Sequence, residues 1–280
     1  EKGMYTWLYN EGGFPSGMAC GKIREKKPHL AMKELVKAGD GEYIVEETCG
    51  TMDRIRTDIA KRETTDEFIK MTHEGFARVF GDALGSDVTM MFDDEAYMGS
   101  WTDGLDILFE EKYGYSILPY LAYIAGDKTP NTEKECRAVS DYTMLCGDLV
   151  RNNYFIPMKE WLNSHNMLST GHLDLDNQTD GCKVRRYGNV MATLRTFDAP
   201  GVDVIWSQIT YPENGKCCFE GNEFWVRCAS SAARQQGKSL CISESFAVYG
   251  SHVTPEEMRF VMNFQAVRGI SRFNFTVISY

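Results

Sequence analysis

The ten residues VTMMFDDEAY, at positions 88–97, join a mostly apolar run to three consecutive acidic residues. A short apolar run bounded by polar residues is typical of a strand that is buried on both faces of a parallel sheet. In barrels built from such strands, the reactive side chains follow the carboxyl ends of the strands. The pattern therefore predicts a buried strand over residues 88–92 and a functional site directly after it.

Apolar runs of the same kind alternate with amphipathic helical segments along the rest of the chain. Further strands are predicted at residues 4–9, 168–173, 202–206, 239–243 and 273–278. Residues 43–47 and 56–60 are two more strand candidates, but the segment between them is too short for a crossover helix. The motif TTDE at 64–67 predicts one helix start, and TPEE at 254–257 predicts another.

Strands that alternate with helices pair in parallel, and the chain carries no dinucleotide-binding fingerprint. The pattern therefore favours a (β/α)8 TIM-type barrel over a doubly wound sheet. A length of 280 residues suits one such barrel. We expect a single catalytic barrel domain over residues 1–280, with a loop and helical insertion around residues 97–130. The opening residues EKGM are typical of a helix end, which predicts a segment of a longer chain whose barrel lacks its first strand.

Charge and cysteine content exclude several classes of partner. The formal net charge is -10, and nucleic acids and anionic membranes both favour clustered Lys and Arg instead. No stretch is apolar enough to span a bilayer. The nine cysteines form no CxxC pair and the five histidines are scattered, so no zinc site is predicted. Free thiols favour a cytoplasmic location, although a start inside a longer chain would leave any signal peptide outside this sequence.

The acidic triplet after the strand at 88–92 is the first candidate site. Side chains alternate along an extended backbone, which predicts that Asp93 and Glu95 share a face while Asp94 points away. Close like charges raise the pKa of one carboxyl group, so that it remains protonated near neutral pH. The alternative is a solvated acidic loop or a helix cap.

A second glutamate occupies the same kind of position. The run SLCISESF at 239–246 places Glu244 at the end of another predicted strand. Alone, Glu244 is equally well explained as a salt-bridge partner inside a barrel. Together with Glu95 it provides the two carboxyl groups that cleavage of a glycosidic bond requires.

Other polar and aromatic residues near strand ends are candidates for substrate binding. Glu11 lies in a glycine-rich turn and could bind a substrate hydroxyl, Asp93 follows the strand at 88–92, and His172 ends a predicted strand. Trp101, Trp206 and Tyr249 could stack on the apolar face of a sugar. Packing in the barrel core is the competing explanation for these aromatic residues, and a structural role is the competing one for His172.

Six motifs together resemble the barrel core of family-106 glycoside hydrolases, which are α-L-rhamnosidase-like. They are YNEGGFPSG at 9–17, THEGFARVFGDALG at 72–85, FDDEAY at 92–97, KYGYSILPYL at 112–121, STGHLDLDN at 169–177 and ESFAVYG at 244–250. Two departures are Asp93-Asp94, where related sequences commonly have Thr-Asp, and Ala96, where Pro is frequent. Residues 43–62 also match poorly.

The resemblance implies a (β/α)8 barrel, accompanied in the parent chain by additional β-sandwich domains. It implies Glu95 as the general acid and Glu244 as its partner, and it implies calcium in some members. The residues themselves indicate no cofactor.

The preferred hypothesis is a hydrolase of plant or microbial glycans that cleaves a terminal sugar such as α-L-rhamnose. One alternative is a carbohydrate-binding barrel that does not cleave its ligand. Another is a metal-dependent hydrolase that uses Asp93, Asp94, Glu95 and His172, against which the shortage of strand-end histidines counts.

Overall fold

The computed structural model describes residues 6–48, 56–174, 176–177, 186–211 and 224–276. At its centre lies a curled sheet of six parallel strands, accompanied by a separate antiparallel hairpin. The eight strands are β1 (Thr6–Tyr9), β2 (Lys33–Gly39), β3 (Glu42–Glu47), β4 (Val88–Asp94), β5 (Leu168–His172), β6 (Ala199–Val204), β7 (Ile242–Ser245) and β8 (Arg272–Phe275). In the central sheet the order is β1-β4-β5-β6-β7-β8, so its strands follow one another in chain order, with the hairpin β2-β3 inserted after β1.

Ten α-helices connect these strands within the described residues. They are α1 (Lys22–Lys26), α2 (Arg62–Met71), α3 (His73–Phe80), α4 (Leu105–Tyr113), α5 (Leu121–Ile124), α6 (Glu133–Val150), α7 (Ile156–Ser164), α8 (Val190–Leu194), α9 (Trp225–Gln235) and α10 (Pro255–Ala266). A π-helical turn, Arg151–Phe155, joins α6 to α7 and buries Tyr154. None of the described helices is both long and apolar enough to cross a membrane.

Of the two helix starts predicted from the sequence, one is correct and one is wrong. The capping box at 254–257 is present, because the Thr254 hydroxyl accepts from the Glu257 backbone and the Glu257 carboxylate accepts from the Thr254 backbone. The predicted box at 64–67 is wrong. Helix α2 already begins at Arg62, and Thr64 is a buried residue whose hydroxyl donates to the Asp58 carbonyl.

Both candidates for an extra barrel strand after β1 are also wrong. Residues 42–47 form the second strand of the hairpin, and Thr57 makes only an isolated bridge to Ala31. Strand β1 pairs directly with β4 instead. The physical reason is that the connection between them folds as a small hairpin and three helices rather than as a strand followed by one crossover helix. The outer ends of the strands predicted at 4–9 and 273–278 lie outside the described residues.

Strand β4 separates two apolar environments. Met90 and Phe92 pack with Ala199 and Ile242 of neighbouring strands on the inner face of the curled sheet. Met91 packs on the opposite face, against Leu162 of α7. Side chains that alternate along β4 therefore point either into the interior of the curl or towards the helices.

Candidate active site

Strand register brings four polar side chains to the carboxyl end of the sheet. Asp94 of β4 is the register partner of His172 of β5, and Asp203 of β6 is the partner of Glu244 of β7. Since parallel strands end at the same edge, these residues converge even though they are far apart in the sequence.

His172 lies at the centre of this convergence. Its Nε2 atom is 3.2 Å from Oε2 of Glu244 and 3.5 Å from Oδ1 of Asp94. Its ring is buried and packs edge-on against Phe92. Polar atoms of Asp94, Glu95 and His172 all lie within 4.8 Å of one another, and the same is true of His172, Asp203 and Glu244. The imidazole is therefore close to both glutamates predicted from the sequence.

Glu95 directly follows β4 and has a left-handed backbone conformation, with a φ of 51°. A residue with a β-carbon adopts this conformation at a cost of order 1–3 kcal/mol, and such strain concentrates at functional sites. Burial raises the pKa of the Glu95 carboxyl to about 8, and the nearby charges of Asp174, Asp94 and Asp176 add to the effect, while His172 opposes it. Glu95 is therefore largely protonated at neutral pH.

Glu244 responds in the opposite direction. Burial alone would raise its pKa, but the hydrogen bond from His172 and the charge of that ring outweigh burial and lower the pKa below its ordinary value. The Thr276 hydroxyl donates a further hydrogen bond of 3.1 Å to Oε1. Glu244 is therefore a carboxylate anion at neutral pH.

The same charges act on His172. Burial lowers the pKa of the imidazole, but Asp203, Glu244 and Asp94 together raise it well above its ordinary value, and burial raises the pKa of Asp203 in turn. The site thus contains an acid, a base and a cation between them.

The predicted orientation of the acidic triplet is wrong. Asp94 points into the curl with Glu95, whereas Asp93 points towards the helices. Alternation holds between Asp93 and Asp94, but Asp94 shares the inner face with Phe92. The left-handed backbone at Glu95 then interrupts the alternation, and Glu95 joins Asp94 on the inside.

Asp93 belongs to a buried network that supports the strand end. Its Oδ2 atom accepts hydrogen bonds of 2.8 Å from the Asn10 amide and 2.7 Å from the Tyr154 hydroxyl. The Ser16 hydroxyl donates to Asn10 and accepts from the backbone N–H of Asp94. Burial raises the pKa of Asp93 to about 7. These contacts satisfy one carboxylate oxygen of Asp93, and its predicted contact with a substrate stays a prediction.

Glu11 has a comparable role in the loop after β1. Its two carboxylate oxygens accept backbone hydrogen bonds of 2.9 Å from Met18 and 2.7 Å from Cys20. The glycine-rich turn closes around this side chain, which is buried. In this structure Glu11 organises the loop, and its predicted contact with a substrate hydroxyl stays a prediction.

The three predicted aromatic residues lie in different surroundings. Trp206, after β6, is 61% exposed. Trp101 is buried in the large core cluster, and its backbone pairs with Lys33. Tyr249 is buried and exchanges hydrogen bonds with the backbone of Ile209, while its ring lines a cavity of about 110 Å³ beside the loops after β6 and β7. Only Trp206 presents a largely exposed ring.

A family model described as alpha-L-rhamnosidase matches residues 46–279. The chain belongs to glycoside hydrolase family 106. This match confirms the resemblance found in the sequence motifs.

Two known proteins that are similar to the chain are much longer than it. A Formosa agariphila protein named "Putative beta-glucuronidase" is 27% identical over 198 residues, which cover 70% of this chain and 15% of that protein. The structure of a rhamnosidase from Novosphingobium sp. PP1Y superimposes with a TM-score of 0.63 at 17% identity, over 89% of this chain and 22% of that one. The second likeness concerns the fold. The chain spans less than a quarter of the length of either relative.

The calcium expected for some family-106 members does not fit the residues around His172. Calcium takes six to eight oxygen ligands. Both groups of converging side chains instead contain an imidazole nitrogen, and that nitrogen already contacts Glu244 and Asp94.

The sequence interpretation missed Asp203 and Asp176. Asp203 lies inside the apolar strand β6, and its backbone N–H donates to the Asp176 carboxylate at 2.9 Å. An acidic residue inside an otherwise apolar strand is the signal that could have identified Asp203. Asp176 had no local signal, because only the fold of the loop after β5 brings it to this edge.

Proposed function

We propose that this chain contains the active site of a glycoside hydrolase that removes a terminal sugar from a glycan, with α-L-rhamnose as the first sugar to test. The observation that carries the proposal is the pair of glutamates beside His172 with opposite pKa shifts. Burial raises the pKa of Glu95 to about 8, whereas contact with His172 lowers that of Glu244. Pairs of carboxyl groups whose surroundings separate their pKa values in this way are typical of general-acid and base or nucleophile roles.

In the proposed reaction, Glu95 donates its proton to the glycosidic oxygen as the bond to the leaving group breaks. Glu244 attacks the anomeric carbon or removes a proton from the attacking water. Positive charge develops on the sugar ring in the transition state. The anionic Glu244 and the neighbouring Asp94 are placed to stabilise that charge.

Trp206 is the proposed stacking surface for the sugar. Its ring is 61% exposed and follows β6, whose Asp203 borders the site. Its left-handed backbone, with a φ of 53°, is joined to the loop after β7 by a hydrogen bond from its N–H to the Ala247 carbonyl. An exposed, fixed aromatic ring suits the apolar face of a sugar.

We further propose that strands outside the described residues complete the sheet into a (β/α)8 barrel. The six strands run in chain order, and β1 and β8 form its two edges. Each edge leaves a row of backbone groups that additional parallel strands would pair. The additional β-sandwich domains of the parent chain are part of the same proposal.

The proposal is tested with the full-length protein on a panel of aryl glycosides that includes α-L-rhamnoside. Glu95→Gln and Glu244→Gln should each lower kcat/KM for the hydrolysed sugar by about 10²–10⁴-fold, the usual contribution of acid–base groups. Glu111→Gln is the matched control, because Glu111 is exposed on α4. Activity that survives either site substitution removes that glutamate from the mechanism, and binding without cleavage of any sugar supports a carbohydrate-binding barrel.

A further inference from the structure

His172 makes its described polar contacts through one ring atom. Nε2 contacts Glu244 on β7 and Asp94 on β4. Nδ1 is buried and has no hydrogen-bond partner among the described residues. The ring therefore directs its Nε2–H towards the two carboxylates at the inner edge of the sheet, where it is 1% exposed.

Acidic groups face this ring from every neighbouring part of the sheet edge. Asp94 and Glu95 come from the end of β4, Asp203 from β6 and Glu244 from β7. Asp174 and Asp176, from the loop after β5, also interact with its charge. These carboxyl groups would repel one another if all were ionised, so a single cation in their midst determines which of them carry a proton.

We propose that His172 is the positioning residue of the reaction: its imidazolium ring orients Glu244 and keeps it anionic while Glu95 stays the acid. This inference rests on the proposed function. In the proposed mechanism, His172 contacts neither the proton that Glu95 donates nor the anomeric carbon. It acts through Glu244, by a hydrogen bond and by its charge.

The two glutamates differ in how strongly the ring affects them. Glu244 receives both a hydrogen bond and the charge of His172, and together these outweigh the effect of its burial. Glu95 interacts only with the charge, which lowers its pKa but does not outweigh burial and the surrounding acids. One buried cation thus separates the protonation states of two glutamates at the same edge.

The decisive variant is His172→Gln, because glutamine keeps an N–H donor but removes the charge. The pKa values of Glu244 and Glu95 should both rise, since each carboxylate loses a stabilising positive charge. Glu244 must be ionised and Glu95 protonated, so the acid and alkaline limbs of kcat/KM should both move to higher pH. A charge at this distance shifts a carboxyl pKa by about 1–3 units, and we expect a displacement of about one unit or more.

Thr276→Val is the matched control. It removes the other hydrogen bond to Glu244 without changing any charge. In this variant the acid limb of the kcat/KM profile should move slightly to higher pH, and the alkaline limb should stay in place. His172→Lys keeps a cation and should return both limbs towards those of the wild-type protein.

The profiles are measured on the full-length protein with the aryl glycoside that the panel identifies. The inference is supported if both limbs of the pH profile move to higher pH in His172→Gln and return towards their wild-type positions in His172→Lys. Lower activity with unmoved limbs in His172→Gln overturns it, because a structural role alone predicts that result. If His172→Gln shows no cooperative thermal transition, His172→Lys decides: wild-type limbs support the inference and displaced limbs overturn it. Full activity of Glu244→Gln would instead contradict the proposed function itself.

Discussion

Asp93 and Asp94 are neighbours in β4, yet they belong to two different networks. Asp93 points towards the helices, where the neutral donors Asn10 and Tyr154 satisfy one carboxylate oxygen. Asp94 points into the curl, where it accepts from the Tyr9 hydroxyl at 2.5 Å and contacts His172. The difference shows that the face of the strand, rather than the residue type, determines whether each side chain contacts the helices or His172.

The two networks also differ in the charge they can hold. Burial raises the pKa of Asp93 to about 7, and no cation contacts it among the described residues. The Asp94 side contains the imidazole of His172, whose pKa is raised by three carboxylates. The first network supports the strand end, and the second surrounds the imidazole of His172 with acidic side chains.

The largest effect that tests this contrast is on activity. Asp94→Asn should lower kcat/KM by about 10- to 100-fold, because it removes a carboxyl group next to the position where positive charge is proposed to develop. Asp93→Asn should change kcat/KM by less than about threefold, because it alters a network on the other face of the strand. Both variants are measured on the full-length protein with the same aryl glycoside. Equal losses in the two would break the distinction between the networks.

A smaller effect concerns stability. The pKa of Asp93 is raised from 3.8 to about 7 by burial, so the folded protein binds this proton more tightly than the unfolded chain does. The corresponding stabilisation is complete below about pH 4 and is lost as the pH rises to about 7. Asp93→Asn should therefore show a smaller fall in the free energy of unfolding over this range. Urea denaturation at several pH values measures the difference, and parallel pH dependences of the two proteins would contradict it.

Much of the candidate site could be predicted from the residues that follow strand ends in the sequence. Glu95, His172 and Glu244 each follow or end an apolar run, and the structure brings all three together. The alternation of side chains could not show which residues of β4 face inwards, because the inner face is defined by packing of Phe92 with strands that are distant in sequence. The left-handed turn at Glu95 also has no local marker such as glycine.

Other features depend on contacts that a linear pattern does not contain. Asp203 reaches the site only through its register with Glu244 on β7. Trp101 and Tyr249 carry the same aromatic signal as Trp206, but both are packed away from solvent. Strand β3, in the hairpin between β1 and β4, resembles a barrel strand in sequence because it contains β-branched residues, which are common in strands of every kind.

The most direct test of the central claim is the pH dependence of kcat/KM for the full-length wild-type protein and for Glu95→Gln. We expect a bell-shaped pH profile of kcat/KM for the wild type. Its alkaline limb should lie near the Glu95 pKa of about 8, and its acid limb, set by Glu244, should lie below the ordinary glutamate pKa of 4.5. Glu95→Gln should lose the alkaline limb and retain the acid limb. An alkaline limb that persists unchanged in Glu95→Gln would contradict the assignment of Glu95 as the general acid.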